Sequence, residues 1–300
     1  MLAGVLLALV GLADVVRART GTDAAPRRVL TTTVIVLLWA AVTTTAVLGL
    51  GLAVWSALVT VALAALWVAT TIPVRSGGTP VGRDRPLPWL RRSGSWPAAL
   101  LAVAVAVLLL WAPGPDASGF VVDWHRDAGP TFVGAVPLAA IVAGVGSALF
   151  LVDSANVVVA QALPPGLSSD ARPGAAAAPA APAPAPAPAA EQTRRKRFGW
   201  RRTAKAPAAD AAAAAAADST VTLKGGRMIG PIERLLLAGF SLAGAFPVVA
   251  ALIAAKGIVR FPEIRRETTG YQAEYFLIGS LVSWAMAFAA AGMCWLLALG

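Results

Sequence analysis

Residues 229–261 read IGPIERLLLAGFSLAGAFPVVAALIAAKGIVRF, and how this stretch is threaded decides the fold. One reading is a single kinked crossing from Leu235 to Ala255. The other is a pair of shorter helices, Pro231–Leu242 and Pro247–Arg260, that turn around Gly244. Proline suits the first turn of a helix and damages its interior. Pro231 and Pro247 both stand where a new helix would begin, which favours the pair. Each arm is then about 18 to 21 Å long at 1.5 Å per residue, too short to cross a hydrocarbon core of about 30 Å alone. The stretch is therefore expected to be a re-entrant hairpin, with a seventh full span as the alternative.

The same region concentrates ionisable groups. Glu233, Arg234, Lys256, Arg260, Glu263 and Glu274 are packed against two apolar runs. Charge beside hydrocarbon is costly, so such residues are usually paired and often functional. From a turn at Gly244, Glu233 and Lys256 each lie about 16 to 18 Å from the tip, at similar depth. They are expected to pair across the hairpin, with Arg260 and Glu274 completing the cluster. In a single crossing they would be about 35 Å apart.

The phrases Gly225-Gly226-Arg227, Ile229-Gly230, Glu233-Arg234, Ala254-Ala255-Lys256-Gly257, Arg260-Phe261-Pro262-Glu263 and Ala273-Glu274-Tyr275-Phe276-Leu277 carry a resemblance. This C-terminal segment resembles that of a bacterial polytopic membrane-protein family known only as a domain of unknown function. Relatives in that family often have Gly-Gln where this chain has Gly244-Ala245, so no role for that glutamine carries over. The resemblance implies a membrane module with a charged site and implies no reaction.

Working outward, the composition agrees. The chain is 300 residues long, 58% hydrophobic and 13% charged, and its apolar residues come in long blocks. That is the profile of an all-α polytopic membrane protein. Met1–Val16 is an apolar run ending in Asp14, Arg17 and Arg19; its basic charge follows the core, the reverse of a cleaved signal peptide, so it reads as a retained first span. Val29–Val74 lacks charge throughout and is long enough for two crossings, Val29–Leu48 and Leu52–Ile72, divided at Gly49 and Gly51. The threonines of these spans read as back-bonded to helix carbonyls more readily than as a pore lining. Pro97–Ala112 is a fourth span and Thr131–Leu163 a fifth with a helical extension. Within the fifth, Ala140, Gly144 and Ala148 form a close-packing ladder. The last span, Tyr275–Leu299, has a similar ladder in Gly279, Ser283, Ala287 and Ala291. The expected total is about six spans plus the hairpin.

Loop charge orients the whole. The loops after the first, third and fifth spans are basic, and the Pro113–Pro130 loop is acidic, which puts the N-terminus outside and the basic loops in the cytoplasm. A full crossing at Leu235–Ala255 would place Lys256, Arg260, Arg265 and Arg266 outside, whereas the hairpin keeps them inside. Three regions follow: a five-span membrane part, 1–163; a linker, 164–223; and the charged module with the last span, 224–300. The Ala/Pro alternation of Ala181–Ala189 suits an extended polyproline II chain. After it come Arg194, Arg195, Lys196, Arg197, Arg201, Arg202 and Lys205, interleaved with Phe198 and Trp200. Tethered at both ends to spans, this basic cluster is expected to meet anionic lipid and not nucleic acid.

No catalytic constellation stands out. One histidine, His125, lies in a polar loop and one cysteine, Cys294, in the last apolar run, so no His/Cys metal cluster and no nucleophile–base pair is expected. No cofactor is implied. The expected protein is a multi-pass cell-membrane component that is structural or binds lipid, a protein partner or its own copy. A small-solute or ion transporter built on the charged module is the alternative.

Overall fold

The computed structural model describes residues 1–20, 25–71, 95–110, 118–129, 131–163, 226–266 and 271–299. The linker with its basic cluster Arg194–Lys205 lies outside these, as do the arginine-rich loop Arg75–Arg92 and the side chains of Arg260 and Glu263. Among the described residues every regular element is helical. Except for Gly226 and Arg227 they belong to one unit, Met1–Ala171 with Met228–Gly300.

That unit is built around α1 (Leu2–Thr20), whose residues Ala3 to Gly11, Ala13 and Asp14 are buried. A helix apolar on all sides gains most when neighbours cover all of it. Its neighbours are α2 (Ala25–Thr44), extended by a π-helical turn Thr45–Gly49, then α3 (Val54–Thr70), α4 (Trp96–Leu110) and α7 (Leu138–Val152). The tightest contact is with α7. Gly4 lies against the backbone of Val142 and Ala143, Gly11 against that of Leu149 and Phe150, so the two helices run parallel. A Cβ on Gly146 would collide with the Gly4 carbonyl. The face of α7 that packs on α1 is thus Ala143 and Gly146, beside the expected Ala140, Gly144, Ala148 ladder. Gly144 instead faces α11 (Tyr271–Leu299), where its Cβ would meet Cys294 Sγ at 3.9 Å.

The Pro113–Pro130 loop contains a helix, α5 (Phe120–Asp127), followed by the single turn α6 (Phe132–Ala135). His125 Nε2 is within hydrogen-bond distance, 2.9 Å, of the Val136 carbonyl oxygen and so ties α5 to the start of α7. The threonines behave mostly as expected for back-bonding. Thr32, Thr33 and Thr45 donate to the carbonyls of Arg28, Val29 and Ala41, while Thr31 reaches Thr20 on α1.

Two elements differ from the sequence reading. The fifth span is broken at Asp153 into α7 and α8 (Ser154–Ala162), with a bend of 57°. The hairpin helices also run further than their prolines indicate: α9 spans Gly226–Leu242 with Pro231 inside it, and α10 spans Phe246–Arg266 with Pro262 inside it. Pro231 is only the sixth residue of α9, so the carbonyl it leaves without a donor is near the open N-terminal end.

By length and apolarity two helical stretches can cross a membrane, Arg28–Gly49 and Phe276–Leu299, and a third if α7 and α8 count as one bent span. Val54–Thr70, Trp96–Leu110 and Phe246–Val259 are apolar but shorter. A membrane location follows as the natural setting for these helices, many of whose large apolar side chains are exposed, among them Leu37, Leu58, Val103, Leu281 and Leu296.

Candidate functional site

The turn between α9 and α10 places the charged residues. The Ala245 N–H donates to the Phe240 carbonyl at 2.9 Å and the Gly244 N–H to that of Ser241 at 3.1 Å. Gly244 has φ +70°. This is a Schellman ending, which needs a left-handed residue just past the helix and is most cheaply met by glycine. Three residues later a new helix is under way, with the Val248 and Val249 N–H groups on the Ala245 carbonyl. The chain therefore reverses at Gly244, and the two arms run antiparallel. Leu237 and Val249 meet Ala287 of α11 in a buried cluster that also includes Phe240, Leu252, Ile253 and Trp284. Ala287 belongs to the small-residue ladder of α11, whose Ser283 and Ala291 are also buried.

At the base of the hairpin Lys256 Nζ lies 2.8 Å from both Oε1 and Oε2 of Glu233. The indole N–H of Trp284 donates to Oε1 of the same carboxylate at 2.9 Å. The ammonium also faces two rings, 5.7 Å from the Trp284 centroid and 6.0 Å from that of Phe276, within range of a cation–π attraction. Glu233 and Lys256 keep 16% and 27% of their side-chain surface exposed, so the pair is largely but not wholly withdrawn from solvent. The pairing matches the expectation from depth. Of the expected completion, Glu274 is exposed and the side chain of Arg260 lies outside the described residues; the rings of Phe276 and Trp284 are the other described neighbours of the ammonium.

Arg234, next in sequence, turns the other way and is 2% exposed. Its Nε donates to the Leu151 carbonyl at 2.9 Å and its Nη2 to Asn156 Oδ1 at 2.7 Å. Leu151 is in the last turn of α7, where carbonyls lose their helical partners because the chain bends at Asp153. The carboxylates of Glu233 and Asp153 are close enough to act on the guanidinium electrostatically. Gly230, one turn earlier on α9, borders this pair: a Cβ there would lie 3.7 Å from Arg234 Nη2 and 3.9 Å from Asn156 Oδ1, both ordinary contacts.

A second centre, at the charged end of α1, has the same plan. Asp14 is buried in α1. Arg17 Nη1 donates to its Oδ1 at 2.9 Å and the Trp67 indole to its Oδ2 at 2.9 Å. Arg17 also donates to the Thr71 carbonyl at 2.8 Å and to the Thr71 hydroxyl at 3.0 Å, closing the C-terminal end of α3. Both centres thus combine an acid, a tryptophan N–H, and an arginine set on the exposed carbonyls of a helix end. Cationic donors are favoured at such ends by the helix dipole.

The two centres share one level. Gly11 lies beside Leu149 and Phe150, which puts Asp14, one turn on, level with Asp153. α11 runs antiparallel, with Cys294 beside Gly144 and Gly279 beside Val159, so Trp284 falls level with the bend. Near that level Ser154 Oγ, 3.5 Å from the Val10 carbonyl, joins the start of α8 to α1. The result is one polar layer across the bundle, at the C-terminal ends of α1, α3 and α7.

Among the described residues no three of His, Cys, Asp and Glu are close enough to share a metal ion. Cys294 is buried against Ala3, Leu7, Ala143 and Met293. No family model matches the chain, and neither a curated protein nor a solved structure is significantly similar to it.

Proposed function

We propose that this chain is a non-enzymatic multi-pass component of the cell membrane, in which the polar layer fixes the hairpin and the exposed surfaces bind lipid or a protein partner. The observation that carries this reading is the mutual satisfaction of the buried charges. Glu233 is held by Lys256 and Trp284, Arg234 by Leu151 and Asn156, Asp14 by Arg17 and Trp67. A group bound on every side by its own chain is suited to holding a structure in place.

In this reading α1, α2 with its π-turn, α3, α4, the bent α7–α8 and α11 are six spans, and α9–α10 is a re-entrant hairpin resting on α11. The turn at Gly244 is exposed, and its backbone suits membrane depth because the Gly244 and Ala245 N–H groups are bonded within the turn to the Ser241 and Phe240 carbonyls. The N-terminus is outside, the polar layer is in the cytoplasmic half of the membrane, and the linker lies in the cytoplasm with Arg194–Lys205 against anionic lipid. The C-terminal module is then of the uncharacterised family that its phrases resemble.

A transporter is the second reading, favoured by one observation: a broken helix and a hairpin meet at the polar layer, an arrangement that substrate sites of transporters use. Purified protein in proteoliposomes separates the two. Flux of small ions or solutes above that of empty vesicles, lost in Glu233→Gln and Lys256→Met, would replace the structural reading. Unchanged background flux, with a defined lipid or protein co-purifying from native membranes, supports it.

A further inference from the structure

We propose that the base of the hairpin is a binding surface for anionic phospholipid, distinct from the basic cluster of the linker. It rests on the membrane reading proposed above and names a place and a chemistry within it. Because the arms are antiparallel and Glu233 meets Lys256, residues before 233 on α9 and after 256 on α10 lie beyond the polar layer. There, Met228, Ile229 and Ile232 on one arm and Ile258 and Val259 on the other are exposed. Five large aliphatic side chains on the outer side of a layer of charges would be costly in water.

The same two segments are basic. Apart from the internally bound Glu233, Arg234 and Lys256, residues 226–232 and 257–266 carry Arg227, Arg260, Arg265 and Arg266 against Glu263 in the sequence. Aliphatic and cationic residues along the same helix segments suit the boundary between acyl chains and phosphates, where apolar groups meet the chains and cations the headgroups. The surface is also continuous with Leu235, Leu236 and Val248, exposed further along the same two arms towards the tip. Lipid is therefore the occupant to which the surface commits. An acidic partner protein or a second copy could use the cations but would not require this continuity.

The test uses the full chain with Cys294→Ser and one new cysteine, Ile258→Cys or, as a control, Phe288→Cys on the exposed face of α11. Each is labelled with a nitroxide and placed in nanodiscs of phosphatidylcholine alone or with phosphatidylglycerol. Collision with oxygen reports lipid, and collision with a water-soluble nickel chelate reports solvent. The expected result is a label at 258 that oxygen reaches. Its nickel collisions should fall about fivefold when phosphatidylglycerol is present, the effect of about one basic residue on an anionic surface. Arg260→Gln, Arg265→Gln and Arg266→Gln together should remove that fall. Free nickel access at 258 in both lipids, with the 288 label still in lipid, overturns the proposal. So does exclusion of both reagents, which marks a protein contact, or a fall that survives the triple substitution, which assigns it to the linker. Nickel access at 288 would sink the membrane reading itself.

Discussion

Glu233 and Lys256 are in contact at 2.8 Å although 23 positions separate them in the chain. A continuous helix would hold them about 35 Å apart, so this one distance requires the reversal at Gly244. Charge reversal tests what the contact contributes. Breaking a buried pair leaves an uncompensated charge and costs roughly 3 to 5 kcal/mol, and the partial exposure of both groups argues for the lower end. Glu233→Lys should therefore lower folded yield and thermal stability, and Lys256→Glu in the same chain should restore part of the loss. Full restoration is not expected, because the Trp284 N–H would then face an ammonium that cannot accept it. A double variant no better than the worse single one would show that the two act independently.

Trp284 and Phe276 make separable contributions. Trp284→Phe keeps a ring over Lys256 and removes the donor to Glu233. Hydrogen bonds to charged groups contribute about 1.5 to 3 kcal/mol, so a loss of that order is expected. Phe276→Leu removes only a cation–π contact at the edge of its range and should cost about 0.5 to 1 kcal/mol. Stability measured in one detergent gives the order of the two, and a larger loss at Phe276 would contradict the assignment of Trp284 as a ligand of the carboxylate.

Much of this was legible in the sequence, for physical reasons that can be named. Pro247, Gly244 and the spacing of Glu233 and Lys256 constrain local backbone, and local constraints survive translation into structure. The break at Asp153 was not legible. Nothing in Leu151-Val152-Asp153-Ser154 forbids a helix, and the carbonyl it exposes is taken by Arg234, 83 positions away. Asp14 was hidden for a similar reason: an acid near the end of an apolar run reads as interfacial until Trp67 and Arg17 are known to surround it. On α7 small residues at several spacings share one helix, and only the neighbours decide that Ala143 and Gly146 meet α1 while Gly144 meets α11.

Arg234 is expected to hold the bend of α7–α8. Arg234→Leu leaves the Leu151 carbonyl and Asn156 without their donor, and Arg234→Lys should not replace it, since one ammonium lacks the fork that reaches both. Without the guanidinium the segment should straighten. Val145 and Ala160 lie on either side of the 57° bend, and straightening should lengthen the distance between labels there by about 3 Å at 1.5 Å per residue. Pulsed electron spin resonance reads that change. Added guanidinium ion should reverse it in the leucine variant, and an unchanged distance in both variants would show that the bend has another cause.

The glycines of α7 give a sharp contrast. Gly146→Ala drives a Cβ into the Gly4 carbonyl, backbone against backbone, with no flexible side chain to yield. Gly144→Ala places its Cβ 3.9 Å from Cys294 Sγ, an ordinary contact. Overpacking costs typically 1 to 3 kcal/mol, whereas an alanine in a helix gains up to about 1 kcal/mol over glycine. Gly146→Ala should therefore lower the melting temperature and Gly144→Ala should leave it unchanged or raise it. Equal losses at both sites would mean that α1 and α7 are not in direct contact.

Threading decides the depth of the polar layer, and reporter fusions decide the threading. If α9–α10 is re-entrant, Glu267 is on the cytoplasmic side and only α11 separates it from Gly300. A reporter active in the periplasm should then be silent after Glu267 and active after Gly300, and a cytoplasmic reporter should show the reverse. If α9–α10 were a full crossing, the two positions would exchange sides and both patterns would invert. The Glu233–Lys256 contact already disfavours that, because the arms double back from the polar layer and end beside it. The fusion after Glu267 is the more telling of the two, since Lys256, Arg260, Arg265 and Arg266 precede it closely and would all have to be translocated. Replacing the three arginines by glutamine should therefore weaken the orientation without moving Glu233 away from Trp284, since Lys256 and the cluster of Leu237, Val249 and Ala287 are kept.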